Sequence, residues 1–367
     1  MHFTIQREAL LKPLQQVINV VEKRQSMPVL GNLLIQVDAS GLSLTGSDSE
    51  VEMSARTVLE GSNSAGETTV PARKFFDIVR SLPDGATVKV DLNADRATVR
   101  AGRSRFTLST LPASDFPLAD DVEVELRVRM AERNLATVIE RTAFAMAQQD
   151  VRYYLNGLLA DLDGNLFRAV ATDGHRMALC ETEMESAVPA QRQLIVPRKG
   201  VLEMQRLFDG ADRTIVLELG RSLLRVRRED VTFTSKLIEG RFPDYNAVIP
   251  IGLDKQAHID REAFKAALQR VAILSNEKYR GVKLEFSPNL LRIAAHNPEQ
   301  EEAVEELDIQ TGIDQLSVGF NVVYMLDTIN SLRDETVVMS LRDANSSALV
   351  QEGSNTRTRH VVMPMRL

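Results

Sequence analysis

Cysteine is almost absent from this 367-residue chain: Cys180 stands alone. That excludes an intrachain disulfide framework and any cysteine-rich zinc site. No apolar run approaches the roughly 20 residues that a bilayer crossing needs. The opening Met1-His2-Phe3-Thr4-Ile5-Gln6-Arg7-Glu8 has no basic stretch leading into an apolar one, so no secretory signal is visible. A cytoplasmic protein is expected. Signatures of chemistry are missing as well. None of His2, His175, His258, His296 and His360 has a second histidine four residues on, so there is no HExxH-type metal site. Neither GxxxxGK[ST] nor GxGxxG occurs, and there is no GxSxG elbow. The most enzyme-like cluster left is Thr172-Asp173-Gly174-His175-Arg176. Asp173 and His175 could act there as orienter and base, or Asp173-Gly174 could simply make a tight turn after a strand.

What is present fits a soluble globular chain. Hydrophobic residues make up 44% and charged ones 26%, and the length implies two or three domains. The net charge of −7 argues superficially against a nucleic-acid partner. It divides unevenly, however, into −4, +1 and −4 over residues 1–125, 126–250 and 251–367. A basic face can coexist with acidic ones on one fold.

The same pattern recurs three times along the chain. Phe3 to Leu10 followed by Leu14, Val17, Ile18 and Val21 predicts a short strand entering an amphipathic helix, with Pro13 near the helix start. Val128 to Leu135 with Val138 and Ile139 repeats it, as does Ala257 to Phe264 with Leu268, Val271 and Ile273. A hairpin pattern follows each helix, turning at 38–41, 163–165 and 287–289. The second halves echo one another too. Val70 to Leu82, Val196 to Leu207 and Val318 to Ile329 each predict a strand end and a helix, with later turns at 93–95, 220–222 and 343–345. The expected fold is therefore α+β, with three similar domains at 1–125, 126–250 and 251–367, each holding two helices and antiparallel hairpins. A period near 120 residues is too long for a solenoid. An array of like domains curves, and must stay open or close by self-association.

Arg24, Arg73, Arg80, Arg198, Lys199 and Arg206 lie on or beside the predicted helices, and Tyr153-Tyr154 follow Gln148 to Arg152. Such side chains suit sequence-independent contact with phosphates, although charged helix faces are common. The chain closes on Val361-Val362-Met363-Pro364-Met365-Arg366-Leu367, either a last core strand or part of a groove.

Several of these stretches, in order over the whole chain, resemble the bacterial sliding-clamp family, the beta subunits of DNA polymerase III. They are Val70 to Phe76, Gln149 to Gly157, Ala171 to Arg176, Gly240 to Tyr245 and Val361 to Leu367. The resemblance implies a non-catalytic DNA clamp fold without cofactor or metal: a three-domain crescent that pairs head to tail into a homodimeric ring around duplex DNA. The implied partners are the DNA polymerase III catalytic subunit, the clamp loader, translesion polymerases, mismatch-repair proteins and DNA ligase, with no membrane. The location implied is cytoplasmic and nucleoid-associated.

Site residues follow from the same resemblance. A groove for short glutamine- and leucine/phenylalanine-containing peptides would be lined by Leu155, Thr172, Gly174, His175, Arg176, Met177, Pro243, Val248, Asn321, Tyr324 and Ser347, and by Val361, Val362, Met363, Pro364 and Met365. Ala247 and Asn345 depart from the usual residues there, which bears on peptide preference. Duplex DNA would meet Arg24, Arg73, Gln149, Tyr153, Tyr154 and Lys199. At the dimer seam Lys74, Arg103 and Arg105 would face Glu299, Glu301, Glu302 and Glu305, with Phe106 and Leu108 packing on Ile273 and Leu274.

Overall fold

The computed structural model describes residues 1–22, 27–120 and 123–366. Among these are six α-helices: α1 (Arg7–Val17), α2 (Ala72–Ser81), α3 (Glu132–Glu140), α4 (Arg198–Leu207), α5 (Arg261–Val271) and α6 (Val322–Ser331). None is long and apolar enough to cross a membrane. Their sequences explain them. In α2, Ala72, Phe75 and Val79 are buried at three- and four-residue intervals while Arg73, Lys74, Asp77 and Arg80 stay exposed. Asp260 caps α5 by accepting from the Ala263 N–H at 2.8 Å. Asn321 caps α6 by accepting from the N–H groups of Val323 (2.9 Å) and Tyr324 (3.3 Å). Pro13 departs from expectation. It is buried well inside α1, not in the first turn where its missing N–H costs least.

The repeat is visible bond by bond. The N–H of Arg7 donates to Ala86 O at 2.8 Å, that of Glu132 to Arg213 O at 2.7 Å, and that of Arg261 to Glu335 O at 2.7 Å. All six expected hairpins form, three of them pairing Asn32–Asp38 with Gly41–Ser47, Gly157–Asp163 with Leu166–Thr172, and Gly281–Ser287 with Leu290–His296.

Packing gathers the chain into two compact units, Met1–Glu132 with Leu202–Leu237, and Arg133–Val201 with Ile238 onward. The first holds an eight-stranded antiparallel sheet and a four-stranded one; the second holds a nine-stranded and a four-stranded sheet. The stretch 126–250 contributes to both units because strands pair across repeats. Val51–Thr57 pairs with Val231–Lys236 inside the first unit, and Arg176–Glu183 pairs with Thr358–Val362 inside the second. The corresponding third-repeat strand, Glu302–Asp308, and the corresponding first-repeat strand, Ser104–Ser109, each end a four-stranded sheet with one edge open among the described residues.

Candidate functional site

The residues expected to line a groove all belong to the second unit, and they are built around one turn. Between Leu166–Thr172 and Arg176–Glu183 the chain reverses on Asp173, whose Oδ1 accepts from the N–H groups of His175 (2.9 Å) and Arg176 (3.0 Å). Thr172 Oγ1 accepts from Gly174 N–H at 3.1 Å and donates to Arg176 O at 2.6 Å. Gly174 has φ +86°, and a Cβ there would stand 2.8 Å from the Arg152 guanidinium nitrogens. Gly174→Ala is therefore expected to cost roughly 1–3 kcal/mol, the range for a non-glycine residue in this backbone region. Denaturant unfolding of the variant checks it; wild-type stability would mean that the turn relaxes freely.

Arg176 fixes the turn against its surroundings. Its guanidinium meets Asp173 Oδ2 at 3.2 Å and Asp327 Oδ2 of α6 at 2.6 Å. It also donates to Phe144 O at 3.0 Å and lies 4.4 Å from the Tyr324 ring centroid. The His175 ring stacks over Tyr324 at 6.4 Å. Asp173 is thus committed to the turn and to Arg176, and His175 to a ring contact, so this cluster is not arranged as a base and its orienter.

The C-terminal segment closes the other side. Met177 stands opposite Val361 and Arg176 opposite Val362. Met363 N–H donates to His175 O at 3.0 Å, and Met365 N–H to Gly319 O at 2.9 Å. Val361 and Val362 are thus buried sheet residues, the first of the two sequence alternatives, while Met363 is exposed. Leu155, Met177 and Val361 share one apolar cluster with Leu159, Val170, Phe242 and Tyr245. Pro243 and Val248 flank that cluster on an exposed wall. The wall is pinned from beneath, because Tyr245 Oη donates to buried Asp161 at 2.6 Å and Gln191 Nε2 donates to the same carboxylate at 2.9 Å. Burial and the Asp161 carboxylate push the Tyr245 phenol up to about 12, so it remains a donor. Sequence reading missed Phe144, Asp161, Tyr245 and Asp327; the only signal was a lone Asp161 inside the otherwise apolar run Leu158 to Leu162.

The remaining candidates lie outside the turn itself, although Tyr154 packs against the same apolar cluster. Gln149 (φ +55°) and Tyr153 are exposed on the loop before Leu155, and Tyr153 packs edge-on to Tyr154. Lys199 lies in the first turn of α4. Arg73 is exposed on α2 and donates to Val21 O at 3.0 Å. Arg24 lies outside the described residues. Of the seam set, Lys74, Arg103, Arg105, Glu299, Glu301 and Glu302 are exposed, and Ile273 is 77% exposed. Phe106 and Leu274 are half-buried, and Leu108 is buried. Glu305 already has a partner within the chain: Arg270 of α5 holds its carboxylate through two bonds of 2.7 and 2.8 Å, and holds its carboxyl below the usual range.

Comparison with known proteins agrees over the whole chain. Family models described as the N-terminal, central and C-terminal domains of the DNA polymerase III beta subunit match residues 1–120, 129–244 and 246–366. The beta sliding clamp of Pseudomonas aeruginosa is 52% identical, and that of Escherichia coli K12 50%, each over all of both chains. A crystal structure of the Pseudomonas aeruginosa clamp bound to griselimycin superposes with a TM-score of 0.98 at 51% identity, covering both chains fully. The Caulobacter crescentus beta sliding clamp superposes with a TM-score of 0.94 at 36% identity, covering all of this chain and 99% of that one.

Proposed function

The chain belongs to the DNA polymerase III beta-subunit family, the non-catalytic sliding clamps, and from that premise we propose that two copies close head to tail into a ring around duplex DNA. The ring tethers the polymerase, and in turn the clamp loader and repair proteins, through short peptides in the Thr172–Met177 groove. One observation carries this reading: the two open edge strands are the ones that the repeat leaves without a partner.

The repeat also supplies their register. Inside the chain Thr232 faces Ser54, and Arg359 faces Leu179. Arg105 holds the place of Thr232 and Arg359, because it faces Arg100 as they face Arg227 and Gln351. Val304 holds the place of Ser54 and Leu179, because it faces Ala294 as they face Thr45 and Val170. Arg105 of one copy then lies opposite Val304 of the other, Arg103 opposite Glu306, and Phe106 opposite Ala303. Arg103, Arg105, Glu302 and Glu306 share one face of the joined sheet, since alternate residues point the same way. Phe106, Leu108 and Glu305 take the other, the face on which Arg270 already holds Glu305. In this register Glu306 is the acidic residue opposite Arg103.

A ring needs no tight contact with DNA. Arg73, Gln149, Tyr153, Tyr154 and Lys199 supply weak, sequence-blind contacts, and linkage keeps the protein on the duplex. Loaded with the clamp loader and ATP, the protein should stay on nicked circular plasmid and leave after linearisation. Equal retention on circular and linear DNA would reject the ring.

A further inference from the structure

The repeat that places the groove also places a second cleft, within the first unit. At the groove floor Met177 stands between Thr172 and Val361. At the corresponding position Glu52 stands between Ser47 and Thr234. A Phe-Pro pair accompanies each floor: Phe242-Pro243 packs through Phe242 with Leu159, and Phe116-Pro117 through Phe116 with Leu34. Leu34 and Leu159 themselves hold matching places, four residues before the hairpin turns at Asp38 and Asp163.

This second position is hollow. A cavity of about 140 Å³ lies there, with Glu52, Leu118, Leu223, Thr234 and Lys236 among its walls. That is close to the volume known to admit a benzene-sized group. Leu118 stands at its rim, 53% exposed. The chemistry is changed from the groove's. Where the groove floor has Met177 and Val361, the cleft has Glu52 and Thr234. Glu50 and Asp120 add two further carboxylates to the lining, so that three carboxylates stand against the ammonium of Lys236 and the Arg225 guanidinium, which donates to Thr234 at 3.3 Å. Glu52 also holds the cleft in shape, accepting from Ala119 N–H at 2.6 Å, and burial pushes its carboxyl up.

We infer that this cleft is a second docking site for a short partner segment, one that sets a leucine-sized anchor beside a lysine or arginine. The inference takes the kind of ligand, a peptide, from the groove reading above; the preference for a cation comes from the cleft itself. An acidic, partly enclosed lining favours a cationic side chain and disfavours an anionic one.

The test uses the full-length protein carrying a trifluoromethyl label on Leu118→Cys, on Ser49→Cys or on Met363→Cys, with native Cys180 buried. Acetyl-Leu-Lys-Leu-amide should move the fluorine signal at 118 or 49. Acetyl-Leu-Glu-Leu-amide should bind at least tenfold more weakly, and Glu50→Gln with Glu52→Gln should remove the difference between the two peptides. The side-chain amide introduced by Glu52→Gln keeps an acceptor for the Ala119 N–H, so the cleft holds its shape. Silence at both 118 and 49 with millimolar lysine peptide overturns the inference, as does equal response to the two peptides. The label at 363 reports separately on the groove. If a glutamine-, leucine- and phenylalanine-containing peptide leaves it unmoved while 118 responds to the lysine peptide, the groove reading fails and the cleft stands.

Discussion

Arg141→Met is expected to cost about 3–5 kcal/mol of stability in the second unit, the range for breaking a buried ion pair from one side. Arg141 lies just past α3, and its Nη1 bonds Glu352 Oε2 at 2.9 Å and Thr358 Oγ1 at 2.5 Å. The two charged side chains are only 9% and 1% exposed. The other oxygen of Glu352 accepts from Arg333 N–H at 2.8 Å. Methionine fills similar space but leaves the carboxylate without its cation. Glu352→Gln together with Arg141→Met should recover part of the loss, because the uncompensated charge is gone. Denaturant melts of the three proteins decide it. A single variant within about 0.5 kcal/mol of wild type would show that the pair contributes little, as exposed pairs usually do.

Arg103→Glu is expected to raise the dimer dissociation constant roughly a hundredfold or more. In the inferred register it sets like charges opposite one another at both seams of the ring, where such juxtaposition costs several kcal/mol. Adding Glu306→Arg to the same chain restores the opposition of signs and should restore the dimer. Moving the arginine to Glu305→Arg should not, because that position lies on the opposite face of the strand and is held by Arg270. Sedimentation across a dilution series separates these outcomes. Rescue by Glu305→Arg and not by Glu306→Arg would shift the register by one residue and refute the alignment.

The hairpins were legible because short turns such as Asp38 to Gly41 and Asp163 to Asn165 separate apolar arms, and the turn chemistry is local. The Thr172–Arg176 turn was legible for the same reason. Arg141 and Glu352 were not, since a charge buried by a partner 211 positions away looks like any surface charge. The Glu299 to Glu302 run announced an acidic segment, but which of the carboxylates there and beyond face outward depends on where strand Glu302–Asp308 begins. Pairing across repeats was likewise invisible, because an edge strand and a central strand can share one alternating pattern. The polar pins around the Thr172–Arg176 turn and the Phe242–Tyr245 segment, Arg176 to Asp327 and Tyr245 to Asp161, join segments 151 and 84 positions apart.

The most direct test of encirclement uses Arg105→Cys with Val304→Cys, placed opposite one another by the repeat's register. The protein is loaded on nicked circular plasmid and bridged at both seams with a short bis-maleimide. It is then denatured in detergent, so that only a closed covalent circle of protein can remain linked to DNA. Bridged protein should stay with the circular plasmid through denaturing electrophoresis and leave when the plasmid is cut once. Release from the uncut circle, or failure of the two introduced cysteines to bridge between copies, would contradict it.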